Sequence, residues 1–454
     1  VKLIIVGAGE VGFHIAHRLA QENKEVVVID KNPEALRRLM EFSDVQTVEG
    51  SGSDPRILQA AGIEEAQTFL AVTDTDETNL IASFYANILA PHIKKLARIR
   101  NEAYTHFQPG LLEKHLNLDK IINPDEELVH TIERLIAVPD AEDVRDLAEG
   151  RIQLIAMRVL AESPLKGKSL IELGRMADGL PFIIGAIFRN ETLIVPTGKD
   201  VLHAGDLLYL ASDKDHIGKV LAFFGCRGKL PENILIIGGG DIGLRLARRL
   251  ENRALHVRLL EKDRARCDQL SEVLHRTIVL HGDGTDQTIL MEENIAQMDL
   301  VLSLTGDEET NIVCSLLSQR LGARRLITRI SKFAYMLIAQ AIGLGRVVNP
   351  RLSAINSILQ YVRRGKIVSA LSLKGEEVEV LEAEAIADSP IVGRPLKDIG
   401  FPKGALVLAV VRGAKPSIAT GYTVILPGDR VVVLCARKAV PQLEKRLSVQ
   451  VRFS

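Results

Sequence analysis

Residues 6–19 read VGAGEVGFHIAHRL, and residues 237–250 read IGGGDIGLRLARRL. Each sets the spacing Gly-x-Gly-x-x-Gly behind a short apolar run and ahead of residues with helical apolar spacing. Strand, glycine turn and helix in that order are the setting in which the pattern cradles a phosphate. One copy is weak evidence, because glycine is common and the pattern is short. Two copies with matching surroundings indicate a duplicated α/β unit.

The duplication keeps register. Gly7, Gly9 and Gly12 recur 231 positions later as Gly238, Gly240 and Gly243, and Asp30 recurs as Glu261. GSGSD (50–54) and TDTDETN (73–79) recur 232 positions later as GDGTD (282–286) and TGDEETN (305–311). ARIRNEAY (97–104) aligns with TRISKFAY (328–335). Beyond these, ESPLKGKSLIELG (162–174) matches DSPIVGRPLKDIG (388–400), and HAGDLLYLA (203–211) matches LPGDRVVVLCA (426–436). Length alone suggests about three domains. The internal repeat instead gives four modules in the order A–B–A′–B′. Their expected bounds are 1–137, 138–226, 232–360 and 364–449, with GCRGKLPEN (225–233) as a Gly/Pro-rich break between the halves.

Within A, the runs KLIIVG, EVVVID, VQTVEG and TFLAVT alternate with helical patterns opening near Val11, Pro33 and Glu77. Such alternation predicts βαβ units, and so a parallel sheet with helices on both faces. Within B, IQLIAMRVL, FIIGAIF and LLYLA read as strands joined by turns such as FRNET, with a short helix near Ser169–Arg175. The fold class is therefore α/β: two tandem Rossmann-like, doubly wound lobes, each followed by a small α+β C-lobe. The run DAEDVRDLAEG (140–150) reads as a solvated helix, with a divalent-cation site as its less favoured reading.

Composition is that of a globular chain, with 46% hydrophobic and 25% charged residues among 454. The formal net charge of -1 gives no basic field to hold nucleic acid or an acidic membrane surface. Cys226, Cys267, Cys314 and Cys435 lie far apart without metal-ligand spacing, and read as thiols in a reducing compartment. The sequence opens on a strand, which predicts no signal peptide. Apolar runs such as ALVLAVV (405–411) fall well short of the ~20 residues that span a bilayer.

The glycine loops point to nucleotides. Gly7 permits the tight turn, Gly9 lets a pyrophosphate approach the backbone, and Gly12 lets the helix sit against the sheet. Ala8, Glu10 and Val11 complete the loop and present amides at a helix N-terminus. Asp30 ends the second strand, where a carboxylate accepts ribose hydroxyls and repels a 2′-phosphate, so NAD(H) is favoured over NADP(H); Lys31 partly offsets this. Ser51, Thr73 and Asp74 follow later strands, where open α/β sheets bind ligands, and Arg98 ends the fifth. In the second half the corresponding set is Gly238, Gly239, Gly240, Asp241, Ile242, Glu261, Asp283, Thr305 and Arg329. Each arginine either contacts phosphate or pairs with a neighbouring helix. The longer Glu261, and Gly306 in place of Asp74, predict a weaker or differently selective second cleft.

No catalytic set accompanies these clefts. His14 and His17 read as a solvated helix face, and no metal ligands are assigned. Two nucleotide lobes without catalytic residues look like a sensor.

Taken together, VGAGEVG with VID, EGSGSD, AVTDTDETN and ARIRN, and their second-half partners, make the chain similar to the regulatory subunits of Trk-type potassium uptake systems. That resemblance spans essentially all of the sequence. It implies tandem RCK domains, NAD(H) or ATP/ADP as ligands, and a ring; two lobes per chain and closed symmetry predict that the ring is a homotetramer. It also implies a cytoplasmic, peripheral location beneath a membrane-embedded potassium transporter subunit, and no enzymatic activity. Two other readings stay open here: an NAD-dependent oxidoreductase, and a regulator of another monovalent cation transporter.

Overall fold

The structure is a computed structural model describing residues 2–106, 110–138, 140–190, 192–226, 228–344, 346–362, 367–373 and 378–447. Val1, Glu191, Arg227, Arg364 and Val449, which fall in or bound segments read above, lie outside the described residues.

The first lobe runs β1 (Lys2–Val6), α1 (Glu10–Gln21), β2 (Glu25–Asp30), α2 (Pro33–Phe42), β3 (Gln46–Glu49), α3 (Pro55–Ala60), β4 (Thr68–Ala71), α4 (Asp76–Leu89) and β5 (Lys94–Arg98). It continues through α5 (Glu102–His106), α6 (Leu111–Leu116), β6 (Lys120–Ile122) and α7 (Pro124–Ala137). All six strands are parallel, in the order β3-β2-β1-β4-β5-β6. The order reverses between β1 and β4, which opens a crevice at their carboxyl ends. The apolar strands are buried on both faces, as a helix-covered parallel sheet requires.

The first C-lobe contains β7 (Asp143–Leu147), β8 (Ile152–Arg158), α8 (Leu170–Met176), β9 (Phe182–Arg189), β10 (Thr192–Ile194), β11 (Leu207–Asp213) and α9 (Ile217–Phe223). Its antiparallel sheet has the order β10-β9-β11-β8-β7. Ser169 caps α8 in a reciprocal bond with Glu172, close to where the sequence places that helix. The acidic run 140–150 is corrected: it forms β7, paired antiparallel with β8, and not a helix.

The second half repeats the plan with β12 (Asn233–Ile237), α10 (Asp241–Glu251), β13 (His256–Glu261), α11 (Arg264–Val273), β14 (Ile278–His281), α12 (Gln287–Glu292), β15 (Leu300–Ser303), α13 (Glu308–Arg320), β16 (Leu326–Arg329), α14 (Phe333–Ala341), β17 (Val347–Val348) and α15 (Pro350–Val362). Its parallel sheet is ordered β14-β13-β12-β15-β16-β17. The second C-lobe holds β18 (Ile367–Leu373), β19 (Val378–Glu384), α16 (Leu396–Ile399), β20 (Ala405–Arg412), β21 (Lys415–Ile418), β22 (Arg430–Ala436) and α17 (Val440–Arg446), with sheet order β18-β19-β22-β20-β21. Cys435 is buried in β22, and none of the four cysteines is joined in a disulfide.

The halves do not fold as separate blocks. One compact unit combines Val1–His130 with Asn233–Val362, and the other combines Thr131–Glu232 with Arg363–Ser454. Like therefore packs with like. In the first unit, Ala354, Ile355, Ile358 and Leu359 of α15 enter the core around α1 of the first lobe. In the second unit, Ala186, Phe188 and Tyr209 share a core with Leu408, Val432 and Leu434 of the other C-lobe.

The repeated Gly-Asp turns of the C-lobes have one cause. Arg189 donates through Nε and Nη2 to Asp206, both at 2.8 Å, and the His203 amide adds a third bond. Arg412, Asp429 and the Leu426 amide repeat this arrangement. Burial alone would raise the Asp206 carboxyl, but Arg189 and the His203 amide outweigh it and hold the group below its ordinary range. A depressed carboxylate stabilises the fold above its unfolded pKa near about 4, and that contribution fades as pH falls through the folded value. Asp206→Asn should cost about 1.5–3 kcal/mol at neutral pH. Denaturant unfolding of the full chain should show the deficit shrinking below about pH 4.

Candidate functional site

The glycine loop of the first lobe is fixed by backbone contacts. Gly7 has φ +110, and a Cβ there would press on the backbone of Val72 and Thr73 at 3.0–3.1 Å. A Cβ on Gly12 would collide with the Gly7 carbonyl, so α1 can approach β1 only with glycine at this position. At Gly9 a Cβ would meet nothing within 4 Å. That residue therefore borders space which the protein itself leaves open. Gly238, Gly243 and Gly240 repeat the three situations.

The helices behind the loops are left uncapped. No side chain accepts from the first-turn amides of α1 or α10. By contrast Asn32, Asp54, Asp263 and Asp286 cap α2, α3, α11 and α12. An uncapped helix start facing a crevice presents free N–H groups and partial positive charge to an anion.

Asp30 clamps the first loop. Its Oδ2 accepts from the Ala8 amide at 2.6 Å and its Oδ1 from the Asn32 amide at 2.8 Å. Glu261 makes the same two bonds, to Gly239 at 2.6 Å and Asp263 at 2.9 Å. The extra methylene therefore does not displace this carboxylate as its length suggested. The room comes from the residue opposite: a Cβ on Gly239 would stand 3.0 Å from Glu261 Oε2 and would overlap Leu270. Ala8 with Asp30, and Gly239 with Glu261, are two solutions to one packing problem.

The remaining expected residues divide into those that line the first cleft and those that do not. A cavity of about 660 Å³ is lined by Gly7–Val11, Asp30, Thr73, Asp74 and Arg98. Ser51 is not among its lining residues, although Gly50 and Gly52 are; its hydroxyl bonds that of Ser53 at 2.7 Å. Asp283, its counterpart, accepts from the Thr285 amide and hydroxyl, which hold its carboxyl below the usual range. Arg98 donates to the Thr73 carbonyl at 3.1 Å and pairs with the exposed Asp74 at 2.9 Å. Arg329 likewise donates to the Thr305 carbonyl at 3.0 Å.

Arg329 also serves a place the sequence did not assign. Together with Ser331, Pro350 and Arg351 of the second lobe, it lines the cleft of the first. Burial pulls its guanidinium below the ordinary arginine value, with Asp125 opposing and Arg100 reinforcing. Arg38 and Arg100 line the cleft too, but they pair with Glu10 and Asp125. Among the described residues, Arg329 and Arg351 have no carboxylate within ion-pair distance. A half-desolvated cation outside any ion pair favours an anion in the cavity.

Two further residues escaped assignment. Asn79 is fully buried and accepts from the Thr73 amide and hydroxyl while donating to the Thr73 and Arg98 carbonyls. Asn311 repeats all four bonds around Thr305 and Arg329. The Asn that ends both TDTDETN and TGDEETN was the available signal. His14 and His17 are half-buried, which corrects the solvated reading. His14 packs on Phe333 of the second lobe with ring centroids 4.3 Å apart, and His17 bonds Ser43 at 2.8 Å.

The packing of Gly239 is testable before any ligand is added. Gly239→Ala should destabilise the chain by about 1–3 kcal/mol through overpacking. Adding Glu261→Asp, which restores the first-lobe pairing, should recover part of that loss in thermal unfolding.

Comparison with known proteins agrees with this arrangement. The TrkA-N domain model matches residues 3–124 and 234–350, and the TrkA-C domain model matches 154–225 and 380–448. The chain is 36% identical to the Trk system potassium uptake protein TrkA of Azorhizobium caulinodans, covering 100% of both chains. It is also 36% identical to that of Halomonas elongata, again over 100% of both. Among solved structures, the GsuK RCK domain shares the fold with a TM-score of 0.60 at 18% identity, covering 99% of this chain and 95% of that one. The GsuK channel bound to NAD matches with a TM-score of 0.60 at 19% identity, covering 99% of this chain and 79% of that chain. The chain thus belongs to the TrkA family of Trk-type potassium uptake proteins, with TrkA-N and TrkA-C domains repeated in tandem.

Proposed function

We propose that this protein is the nucleotide-sensing regulatory subunit of a membrane potassium transporter, and that it acts from the cytoplasmic face of the membrane without catalysing a reaction. Among the described residues, no helix is long and apolar enough to cross a bilayer, so ion passage belongs to a partner subunit. The observation that carries the reading is the first cleft. There an open glycine loop and Asp30 from one lobe face two arginines, Arg329 and Arg351, from the other.

In this reading the α1 amides and Gly9 take the pyrophosphate, and Asp30 accepts ribose hydroxyls with the lone pairs that Ala8 and Asn32 leave free. Thr73, Asp74 and Arg98 wall the far side. Arg329 and Arg351 take the most distal negative charge. NAD(H) and ATP/ADP both satisfy the loop, but a terminal phosphate gains most from the two arginines. The second cleft uses Gly238–Ile242, Glu261 and Thr305 in the same manner, with Asp283 at its rim. A ligand that touches both lobes favours whichever lobe arrangement brings the arginines closest. A preference of about 1.4 kcal/mol between two arrangements shifts their ratio tenfold.

Assembly follows from exposed apolar faces. Ile81, Phe84 and Ile88 stand exposed at positions i, i+3 and i+7 of α4, and Val313 and Leu316 repeat the first two on α13. We propose that these faces join copies of the chain into a homotetrameric ring.

Two measurements check this reading. Calorimetric titration of the full chain should show Arg329→Ala weakening ATP by about tenfold or more, with a smaller effect on NADH, whereas Asp30→Ala should weaken both. Equal affinities of wild type and Asp30→Ala would remove the ribose assignment. Light scattering at micromolar concentration should give a tetramer for the wild type and smaller species for Phe84→Glu. A monomeric wild type would contradict the ring.

A further inference from the structure

The first cleft sets a carboxylate of its own against its arginines. Asp125 lines the cavity at the start of α7, is 3% exposed, and accepts from Arg100 Nε at 3.3 Å and Nη2 at 3.0 Å. Asp76 fixes the other end of that pair, because its Oδ2 accepts from the Arg100 and Asn101 amides at 2.9 and 2.8 Å. Burial alone would lower the Arg100 guanidinium, but Asp125, helped by Asp241 and Asp76, outweighs it and holds the group above its ordinary value. The helix start does not need this carboxylate. Asn123 caps α7 by accepting from the Asp125 and Glu126 amides at 3.0 and 3.3 Å. IINPDEE (121–127) recurs as VVNPRLS (347–353), where Asn349 accepts from the Leu352 amide at 3.0 Å and Arg351 replaces Asp125. Ser331 in turn stands where the first lobe has Arg100. The same framework thus carries a neutral pair in one lobe and a net positive charge in the other.

We propose that Asp125 sets the charge selectivity of the first cleft: its carboxylate occupies Arg100 and limits how much negative charge the cavity accepts. The proposal rests on the nucleotide reading of that cleft. Asp125 neutralises Arg100, and its charge acts on Arg329 as well. A ligand anion must share these arginines with a fixed carboxylate that repels it. ATP, which carries more negative charge than NADH, loses more to that repulsion. Removing the carboxylate frees the Arg100 donors for a terminal phosphate, which they can hold by paired, charge-assisted bonds. The neutral nicotinamide end of NADH gains little from them.

The test is calorimetric titration of the full chain with ATP and with NADH, comparing two variants with the wild type. Asp125→Asn keeps the shape of the side chain and removes its charge. Arg100→Ser combined with Asp125→Arg installs the residues that the second lobe holds at these positions. Each variant should tighten ATP by about tenfold or more while changing NADH by less than about threefold. The gain for ATP should shrink as KCl is raised, because it is electrostatic. Circular dichroism and melting without ligand identify the variants that keep the fold. An ATP affinity at or below that of the wild type in a folded variant, or an equal gain for NADH, would overturn the proposal and leave the nucleotide reading standing. Loss of the fold in both variants would give the pair a purely structural task and overturn the proposal as well. No binding of ATP or NADH by the wild type or by either variant would overturn the nucleotide reading, and this proposal with it.

Discussion

The close approach of Gly12 to the Gly7 carbonyl governs the first unit. Without a side chain between them, α1 lies against β1 with its uncapped start at the mouth of the crevice. The outer face of that same helix receives α15 from the second half. Because α15 begins at Pro350, its docking brings Arg351 to the crevice, and the end of β16 delivers Arg329 beside it. One backbone contact thus links the loop that would hold a phosphate to the element that carries cations from the other lobe. A ligand bridging the two would stabilise their packing, which is the coupling a regulator needs.

The local grammar of the fold was legible in the sequence, because each element answers to nearby residues. The strand-turn-helix order, the repeat register, the short helix near Ser169–Arg175, the tight turn at Gly7 and the close helix approach at Gly12 all depend on neighbours in the chain. The acidic run 140–150 misled because its buried residues, Ala141, Val144, Leu147 and Ala148, fall at helical spacing. In β7, Val144 and Leu147 instead face opposite sides, and Arg145 is held by Asp143 at 3.0 Å. What the sequence could not display was the interleaving. Two lobes separated by a hundred residues share a core, so no local pattern announces that Arg329 lines the other lobe's cleft or that His14 packs on Phe333.

The halves differ in ways that length of side chain alone does not predict. Glu261 keeps the bonds of Asp30 because Gly239 gives up the methyl that Ala8 carries. Lys95 is buried and donates to the Pro91 and Ile93 carbonyls just beyond the end of α4, whereas Leu326 stands at the matching place in the second lobe. Burial lowers the Lys95 ammonium, and Asp119 partly opposes that shift. Such substitutions keep each lobe folded while its surroundings change. Selectivity between the clefts therefore has to be sought in the charges around them, which for the first include the arginines that the second lobe lends it.

The most direct test of this account is hydrogen exchange on the full chain with and without saturating ATP. The account predicts slower exchange in two places at once: the loop at Gly7–Val11, and residues 329–331 with the start of α15 in the second lobe. Protection confined to the first lobe, with residues 329–331 and 350–355 unchanged, would contradict it.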